Sequence, residues 1–252
     1  DGNGQDTTRI VNDGNWQRRV VAPMGLITTF DANLRADMFH TTDIDPDRVN
    51  QGQSQEDTEM RLFPQLHIRS ELPMAKRAGS QGDFLISPQV ALTLAPNLGE
   101  ADAIPNEDSA DTQLDITNLF DANRFTGDDR IEDRSRVTYG MKAGYYDYEG
   151  RYADVFFGQS YRLEDNDNPF ASGSGLSDQY SDFVGRFRLQ GWKTGFDYSF
   201  RLDGRQLMAN RHELNLDYRG DRFDFSGYYL YLEGLEESSI PQTREQVVAQ
   251  TG

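Results

Sequence analysis

The sequence predicts an all-β fold: an antiparallel up-and-down transmembrane β-barrel, present here in part as about ten strands of a larger barrel. The first observation is strict alternation, clearest in Leu26–Met38. Phe30 and Leu34 fall on one face of that segment, and Asp31 and Arg35 fall on the other, as the side chains of a strand do. The second is that short turns and long polar loops alternate along the chain. The third is strand length, mostly about 11–13 residues, which suits a tilted bilayer crossing of ~9–11 residues. A soluble β-sandwich is the alternative.

The first half of the chain predicts four strands, in which apolar residues recur at alternate positions, most clearly in Leu26–Met38. A tight turn joins the first two strands, and a small, basic connection joins the last two. A long polar loop follows each pair. In order, these elements are the strand Trp16–Ala22, the turn Pro23–Gly25, the strand Leu26–Met38, the loop Thr41–Thr58, the strand Met60–Leu72, the connection Lys76–Gly82, the strand Phe84–Leu94 and the loop Ala95–Arg134.

The second half predicts six further strands. Gly220-Asp221 is a strong two-residue hairpin signal. Asp203–Arg205 is short where the alternation calls for a long loop, and Gln246–Gly252 shows no strand signal. In order, the elements are the strand Arg136–Asp147, the turn Asp147–Gly150, the strand Arg151–Leu163, the loop Glu164–Asp178, the strand Tyr180–Gln190, the turn Gly191–Trp192, the strand Lys193–Leu202, the turn Asp203–Arg205, the strand Leu207–Arg219 and the strand Arg222–Leu232.

Composition argues against several classes of function. The chain has 252 residues, with 42 Asp and Glu against 25 Lys and Arg and a net charge of −17. This argues against nucleic acid as a partner, because phosphate binding needs a basic surface. The chain has no cysteine, which rules out disulfides and thiolate metal sites. Because it starts at Asp1 without an initiator Met, we expect residues 1–252 to be a piece of a longer chain, within a single outer-membrane barrel domain.

A series of short segments carries a family resemblance. Ile104–Ser109 reads Ile-Pro-Asn-Glu-Asp-Ser, and Asn118–Arg130 and Arg136–Gly140 follow it in that order. Flanking segments such as Ser87–Gln89 and Phe157–Arg162 agree. Over essentially the whole chain, the sequence resembles the barrel domain of the LptD family of lipopolysaccharide-assembly outer-membrane proteins (organic solvent tolerance proteins), in its alphaproteobacterial form.

The resemblance implies a non-enzymatic translocon in the outer membrane of a Gram-negative cell. In that family a large barrel receives lipopolysaccharide from a periplasmic bridge through an N-terminal domain. The lipid leaves through a lateral opening between the first and last strands. The implied partners are lipopolysaccharide, an LptE-like lipoprotein plug, the periplasmic bridge and outer-membrane lipid. This sequence lacks the N-terminal jellyroll, most of the family's strands and the cysteines of some members, so we expect the lateral gate to lie outside it.

The long loop, residues 95–134, has two interpretations. Its many carboxylates are typical of a solvated acidic loop. Its apolar residues are unusual for a freely exposed loop and favour a lid that folds back into the lumen, where its arginines would pair with carboxylates of the wall. The candidate lid residues are Asn118, Leu119, Phe120, Arg124, Phe125, Asp128, Asp129 and Arg130.

The charged faces of the predicted strands also have two interpretations. They are either ion-pair ladders that line a wet barrel, worth ~0.2–1 kcal/mol per cross-strand pair, or a net-acidic wall that guides a polyanionic head group and limits its sticking. Neutralising the acidic residues should slow release of the lipid in the second case. The candidate lumen-facing charges are Asp31, Arg35, Asp37, Lys193, Asp197, Arg201, Arg211, Glu213 and Asp217.

The sequence predicts no catalytic residue, no metal ligand and no cofactor. His40, His67 and His212 lie far apart, and Gly173–Gly175 lacks the strand-to-helix context of a nucleophile elbow. Asp165–Asp167 lacks the glycine and glutamate that complete a calcium loop.

Two rival functions remain. A general diffusion porin would need no dedicated partner and would lack the segment series described above. A soluble β-rich binding or adhesin domain would dissolve without detergent, whereas the apolar faces predicted here would aggregate in buffer.

Overall fold

The computed structural model describes residues 6–42, 57–98, 112–164, 168–233 and 243–251, and all of its regular secondary structure is β. None of these residues forms a helix long and apolar enough to cross a membrane. Twelve strands form one antiparallel sheet, which confirms the predicted fold class of a partial barrel. The strands are β1 (Asp6–Val21), β2 (Ile27–Thr42), β3 (Asp57–Glu71), β4 (Met74–Ala78), β5 (Gly82–Leu94), β6 (Arg136–Asp147), β7 (Tyr152–Arg162), β8 (Phe183–Gln190), β9 (Thr194–Leu202), β10 (Ala209–Arg219), β11 (Asp224–Leu232) and β12 (Arg244–Thr251).

The strands follow one another across the sheet in chain order, as in an up-and-down barrel. β3 and β4 share one position beside β5, because Glu71 pairs with Gln89 and Met74 pairs with Ile86 in the same register. Pro73 lies at the break between them and has no N–H to donate to the ladder. The sheet therefore has eleven strand positions, with β1 and β12 at the two ends of the described order.

Three elements differ from the sequence expectation. β4 occupies part of the stretch predicted as the Lys76–Gly82 connection, β12 forms where Gln246–Gly252 showed no strand signal, and β1 begins at Asp6, well before Trp16. In each case the backbone of a neighbouring strand supplies the pairing. Strand formation here depends on the neighbouring strand more than on side-chain pattern. The predicted loop Thr41–Thr58 lies mostly outside the described residues.

The two faces of the sheet differ in chemistry. On the outward face, apolar side chains are open to the surroundings: Met60 is 75% exposed and Leu62 61%. On the opposite, polar face, Phe63 is only 2% exposed and Asp37 4%. Because pairing keeps opposed residues on the same face, this division runs through the whole sheet.

The polar face carries a second layer. Residues 112–134 and 168–182, which we call the inner layer, pack against it without regular secondary structure. Their apolar side chains meet a few apolar residues of the sheet and form the core of the molecule. This core contains Ala91, Leu114, Leu119, Phe120, Phe125, Phe170, Leu176 and Val184, with Phe156 packed against it.

Candidate functional site

Leu119 anchors the inner layer in a slot beside Gly158. Its side chain is fully buried. A Cβ placed on Gly158 would lie 2.6 Å from Leu119 Cδ2 and 2.8 Å from the carbonyl oxygen of Tyr139. Gly140, across the ladder from Gly158, is similarly confined, since a Cβ there would lie 2.9 Å from the carbonyl oxygen of Phe157. Gly158 therefore leaves the space that Leu119 occupies, and Gly140 leaves space beside the ring of Phe156.

Phe120, next to Leu119, bridges two strands of the sheet. The guanidinium of Arg69 lies 4.6 Å from the centre of its ring, a cation–π distance. The ring of Phe156 lies edge-on at 6.4 Å, within the range of favourable aromatic pairs. Two of the three predicted apolar lid residues, Leu119 and Phe120, thus contact the sheet.

A buried ion triad lies beside them. Arg124 donates to both carboxylate oxygens of Glu132, with Nε 2.9 Å from Oε2. Arg136 of β6 places Nη1 3.1 Å from Glu132 Oε1. Burial alone would raise the pKa of Glu132, but Arg124 and Arg136 hold that pKa below its ordinary value of 4.5. Glu132 is therefore the anion that compensates two buried guanidinium groups.

Arg136 also binds the backbone of the inner layer. Its Nη2 donates to the carbonyl oxygen of Asp121 at 2.5 Å and to that of Ala122 at 2.8 Å. Gln65 of β3 donates to the same Ala122 carbonyl at 3.0 Å. Burial raises the pKa of the Asp121 carboxyl. The chain at 121–122 is thus held by side chains from two strands.

The two segments of the inner layer are joined to each other. Phe125 stacks on Phe170, with ring centres 4.4 Å apart and planes 14° from parallel. The Leu114 N–H donates to the carbonyl oxygen of Ser174 at 2.8 Å. Arg201 of β9 donates to the same Ser174 oxygen at 3.1 Å and lies 3.3 Å from Asp182 Oδ2. Loop 168–182 therefore belongs to the same packed unit as residues 112–134.

The tip of the inner layer, around Asp128 and Asp129, contacts the first three strands. Arg35 Nη2 donates to the Asp128 carbonyl oxygen at 2.6 Å, and Arg61 Nη1 donates to that of Asp129 at 3.0 Å. Arg9 Nη1 lies 2.6 Å from Asp129 Oδ1.

Asp37 lies between the two arginines of this contact. Its carboxylate accepts from Arg35 Nε at 2.9 Å and from Arg61 Nη2 at 2.5 Å. Arg130, the last predicted lid residue, lines a cavity of about 180 Å³ with Arg61 and Ile131.

The remaining predicted wall charges form short pairs on the polar face. Asp31 accepts from Gln17 at 2.5 Å. Asp197 accepts from Arg186 Nε at 2.8 Å, and Arg211 Nη2 lies 3.1 Å from Glu213 Oε2.

Asp217 and Lys193 complete the set of predicted wall charges. Asp217 is placed on the polar face by its pairing with Ser226. Lys193 lies elsewhere: it precedes β9, in the exposed turn after β8, and its Nζ is 2.7 Å from Asp221 Oδ1 in the turn between β10 and β11. The sequence had placed Lys193 on the strand, but the strand begins only at Thr194.

Sequence reasoning missed several residues of this contact. Arg136 shares a strand face with Thr138, so alternation alone would have placed it on the polar wall. Glu132 and Gly158 gave no comparable signal, because their roles depend on residues distant along the chain. Loop 168–182 carried one clue, the apolar Phe170 and Leu176 within a Gly/Ser-rich segment.

Among the described residues, no group of three or more His, Asp or Glu side chains is arranged to hold a metal ion. Asp165–Asp167 and the segment Ile104–Ser109 lie outside the described residues.

The sequence profile of a known family, described as LPS transport system D, matches residues 1–252. The chain belongs to the LptD family. The predicted family resemblance is thereby confirmed, while the alphaproteobacterial subtype stays a prediction. LptD proteins are components of lipopolysaccharide transport and assembly at the outer membrane, a transport role and not an enzymatic one. No protein with a curated description matches this LptD chain.

Proposed function

We propose that the chain is part of a translocon that inserts lipopolysaccharide into the outer leaflet of a Gram-negative outer membrane. The observation that carries the proposal is the family match over residues 1–252. The apolar outward face supports it, because a barrel in a bilayer exposes alternate residues to lipid and the others to its lumen. The protein acts by transport, without a cofactor.

The polar face then lines the lumen, and the inner layer covers part of it as a lid. Leu119 and Phe120 hold the lid against the wall, and Arg124 does so through Glu132, which it shares with Arg136. Asn118 and Phe125 stabilise the lid from within: Asn118 Nδ2 donates to the Gln113 carbonyl oxygen at 2.8 Å, and Phe125 stacks on Phe170. Its tip at residues 128–130 reaches β1–β3. Buried side chains and a shared core are what such a layer needs to stay in place while a large amphipathic lipid passes.

The charged side chains of the wall favour passage of the lipid through the lumen over its retention there. Arg35, Arg201 and Arg211 are each already close to a carboxylate: Asp37, Asp182 and Glu213, respectively. A phosphate group that reached these arginines would have to displace an existing partner. A polyanionic lipid would therefore be held weakly.

The proposed function requires partner molecules. An LptE-like lipoprotein would fill the lumen beside the polar face of β10–β12. The inner layer reaches this face at Asn210, whose Nδ2 donates to Asp182 Oδ2 at 3.0 Å, and at Arg211, whose Nη1 lies 3.9 Å from Asp115 Oδ2. Lipopolysaccharide would arrive from the periplasmic bridge through the N-terminal domain of the full-length protein.

The test is depletion of the full-length protein in its host, followed by an assay of newly made lipopolysaccharide at the cell surface. Loss of surface lipopolysaccharide, with accumulation inside the cell, is the expected result. Normal surface lipopolysaccharide with altered permeability to small solutes would contradict the proposal and favour a porin. A protein that purifies without detergent would favour the soluble binding domain.

A further inference from the structure

Two cations lie on the largely apolar outward face. Arg18 of β1 pairs across the ladder with Phe30, and Lys76 of β4 pairs with Phe84, which places both on the face opposite the inner layer. Both are exposed. In the described strands, no other Lys or Arg lies on this face, and neither Arg18 nor Lys76 forms an ion pair with a described residue.

Both cations lie near short turns. Arg18 precedes the turn at 23–25, and Lys76 precedes the turn between β4 and β5. Each has a large exposed ring close by: Trp16, two residues before Arg18, and Phe84, opposite Lys76. On the lipid face, a cation costs ~2–4 kcal/mol at the bilayer midplane but only ~0–1 kcal/mol near the interface. This chemistry therefore matches the headgroup level at the short-turn end of the strands, which we call the short-turn rim.

The opposite, long-loop end of the outward face is different. There Tyr139 donates to Gln159 at 2.5 Å, and a carboxylate, Glu245, pairs with Tyr231 across the ladder. In a chain of net charge −17, the unpaired outward cations of the described strands thus lie at one end only.

We propose that the short-turn rim binds the phosphate headgroups of anionic phospholipids through Arg18 and Lys76, with Trp16 and Phe84 as the flanking rings. Basic residues at a membrane surface attract anionic lipids, and aromatic rings beside them fit the boundary between headgroups and acyl chains. The inference rests on the proposed function only in requiring that the strands span a membrane, and it does not require lipopolysaccharide.

The test uses the full-length protein in bilayers of equal amounts of phosphatidylcholine and phosphatidylglycerol. Spin-labelled forms of each lipid report which one contacts the protein. The test variant is Arg18→Gln with Lys76→Gln. The matched control is Arg19→Gln with Arg77→Gln, because these neighbours remove the same charge from the same strands but lie on the polar face. Heat-modifiable migration in gels checks that each variant is folded.

The wild type should select phosphatidylglycerol at its bound sites, by about fivefold for each outward cation. The variant with Arg18→Gln and Lys76→Gln should lose most of this selection, and the control variant with Arg19→Gln and Arg77→Gln should retain it. The inference is overturned if the wild type shows no selection, or if both variants lose it equally. If the Arg18→Gln, Lys76→Gln variant does not fold, the wild type is measured at high salt. Salt screens exposed charges, so phosphatidylglycerol selection that persists at high salt would overturn the inference.

Disruption of surface lipopolysaccharide plays no part in this readout. A failed lipid-selection test would leave the translocon proposal standing. Failure of the depletion test would leave the lipid selection measurable.

Discussion

Replacing Glu132 by Gln should release the inner layer from the wall. The substitution keeps the shape of the side chain but removes the carboxylate that forms ion pairs with both Arg124 and Arg136. Removing one partner of a buried ion pair typically costs ~3–5 kcal/mol, because the remaining charge stays buried without compensation. The matched control is Asp128→Asn at the tip, where the side chain is 55% exposed and an ion pair contributes only ~0–1 kcal/mol.

Hydrogen exchange of the full-length protein in detergent measures the effect. The Leu114 amide donates to the Ser174 carbonyl inside the inner layer, so its peptide reports opening of that layer. Its protection should fall roughly a hundred- to several-thousand-fold in Glu132→Gln and less than about tenfold in Asp128→Asn, while amides of β6 stay protected. The reasoning is refuted if the Glu132 variant loses no more protection than the Asp128 variant.

Three further outcomes follow from the same geometry. Gly158→Ala should weaken docking of the inner layer by ~1–3 kcal/mol, because the new methyl group meets Leu119; unchanged protection of that layer would show that the slot can widen. The inner layer should be better protected in the wild type than in Glu132→Gln, in full above pH ~4.5, and this difference should disappear as the pH falls further. The reason is that the folded pKa of the Glu132 carboxyl is lowered, so that its stabilisation is lost only on protonation. Hydrogen exchange at several pH values, corrected for intrinsic rates, shows whether the difference shrinks towards acid. Leu34→Lys should lower the fraction folded in lipid vesicles, by ~2–4 kcal/mol near the midplane, while Asn33→Lys on the polar face should be tolerated; equal behaviour of the two neighbours would contradict the assignment of faces.

The alternation of side chains was sufficient to predict the faces of the sheet. Arg35, Asp37, Asp197 and Arg201 lie on the polar face because a strand has a period of two, and that period is visible in a single sequence. β12 was not predicted because the adjacent Val247 and Val248 break the alternation of its side chains. It forms a strand because its backbone pairs with that of β11.

The inner layer was harder to predict. Leu119 and Phe120 indicated that the loop folds onto something, since an exposed loop rarely carries such residues together. The partners in the sheet, however, lie far along the chain. Nothing near Gly158 shows that it must remain a glycine, because the reason is a leucine in another segment. Loops have no period from which such contacts could be derived.

The way the inner layer is held follows from the apolar character of the outward face. Because most apolar residues of the strands lie on the outward face, the polar face holds its covering layer largely with charged groups. It does so by donating to main-chain carbonyl oxygens: those of residues 121, 122, 128, 129 and 174 all accept from arginines of the sheet. Such bonds depend on the path of the backbone and not on the side chains that it carries. The contact therefore constrains the arginines of the wall and the few buried anchors, Leu119 and Glu132, much more strongly than the acidic side chains at the tip. For this reason a substitution at Asp128 is the right control for one at Glu132.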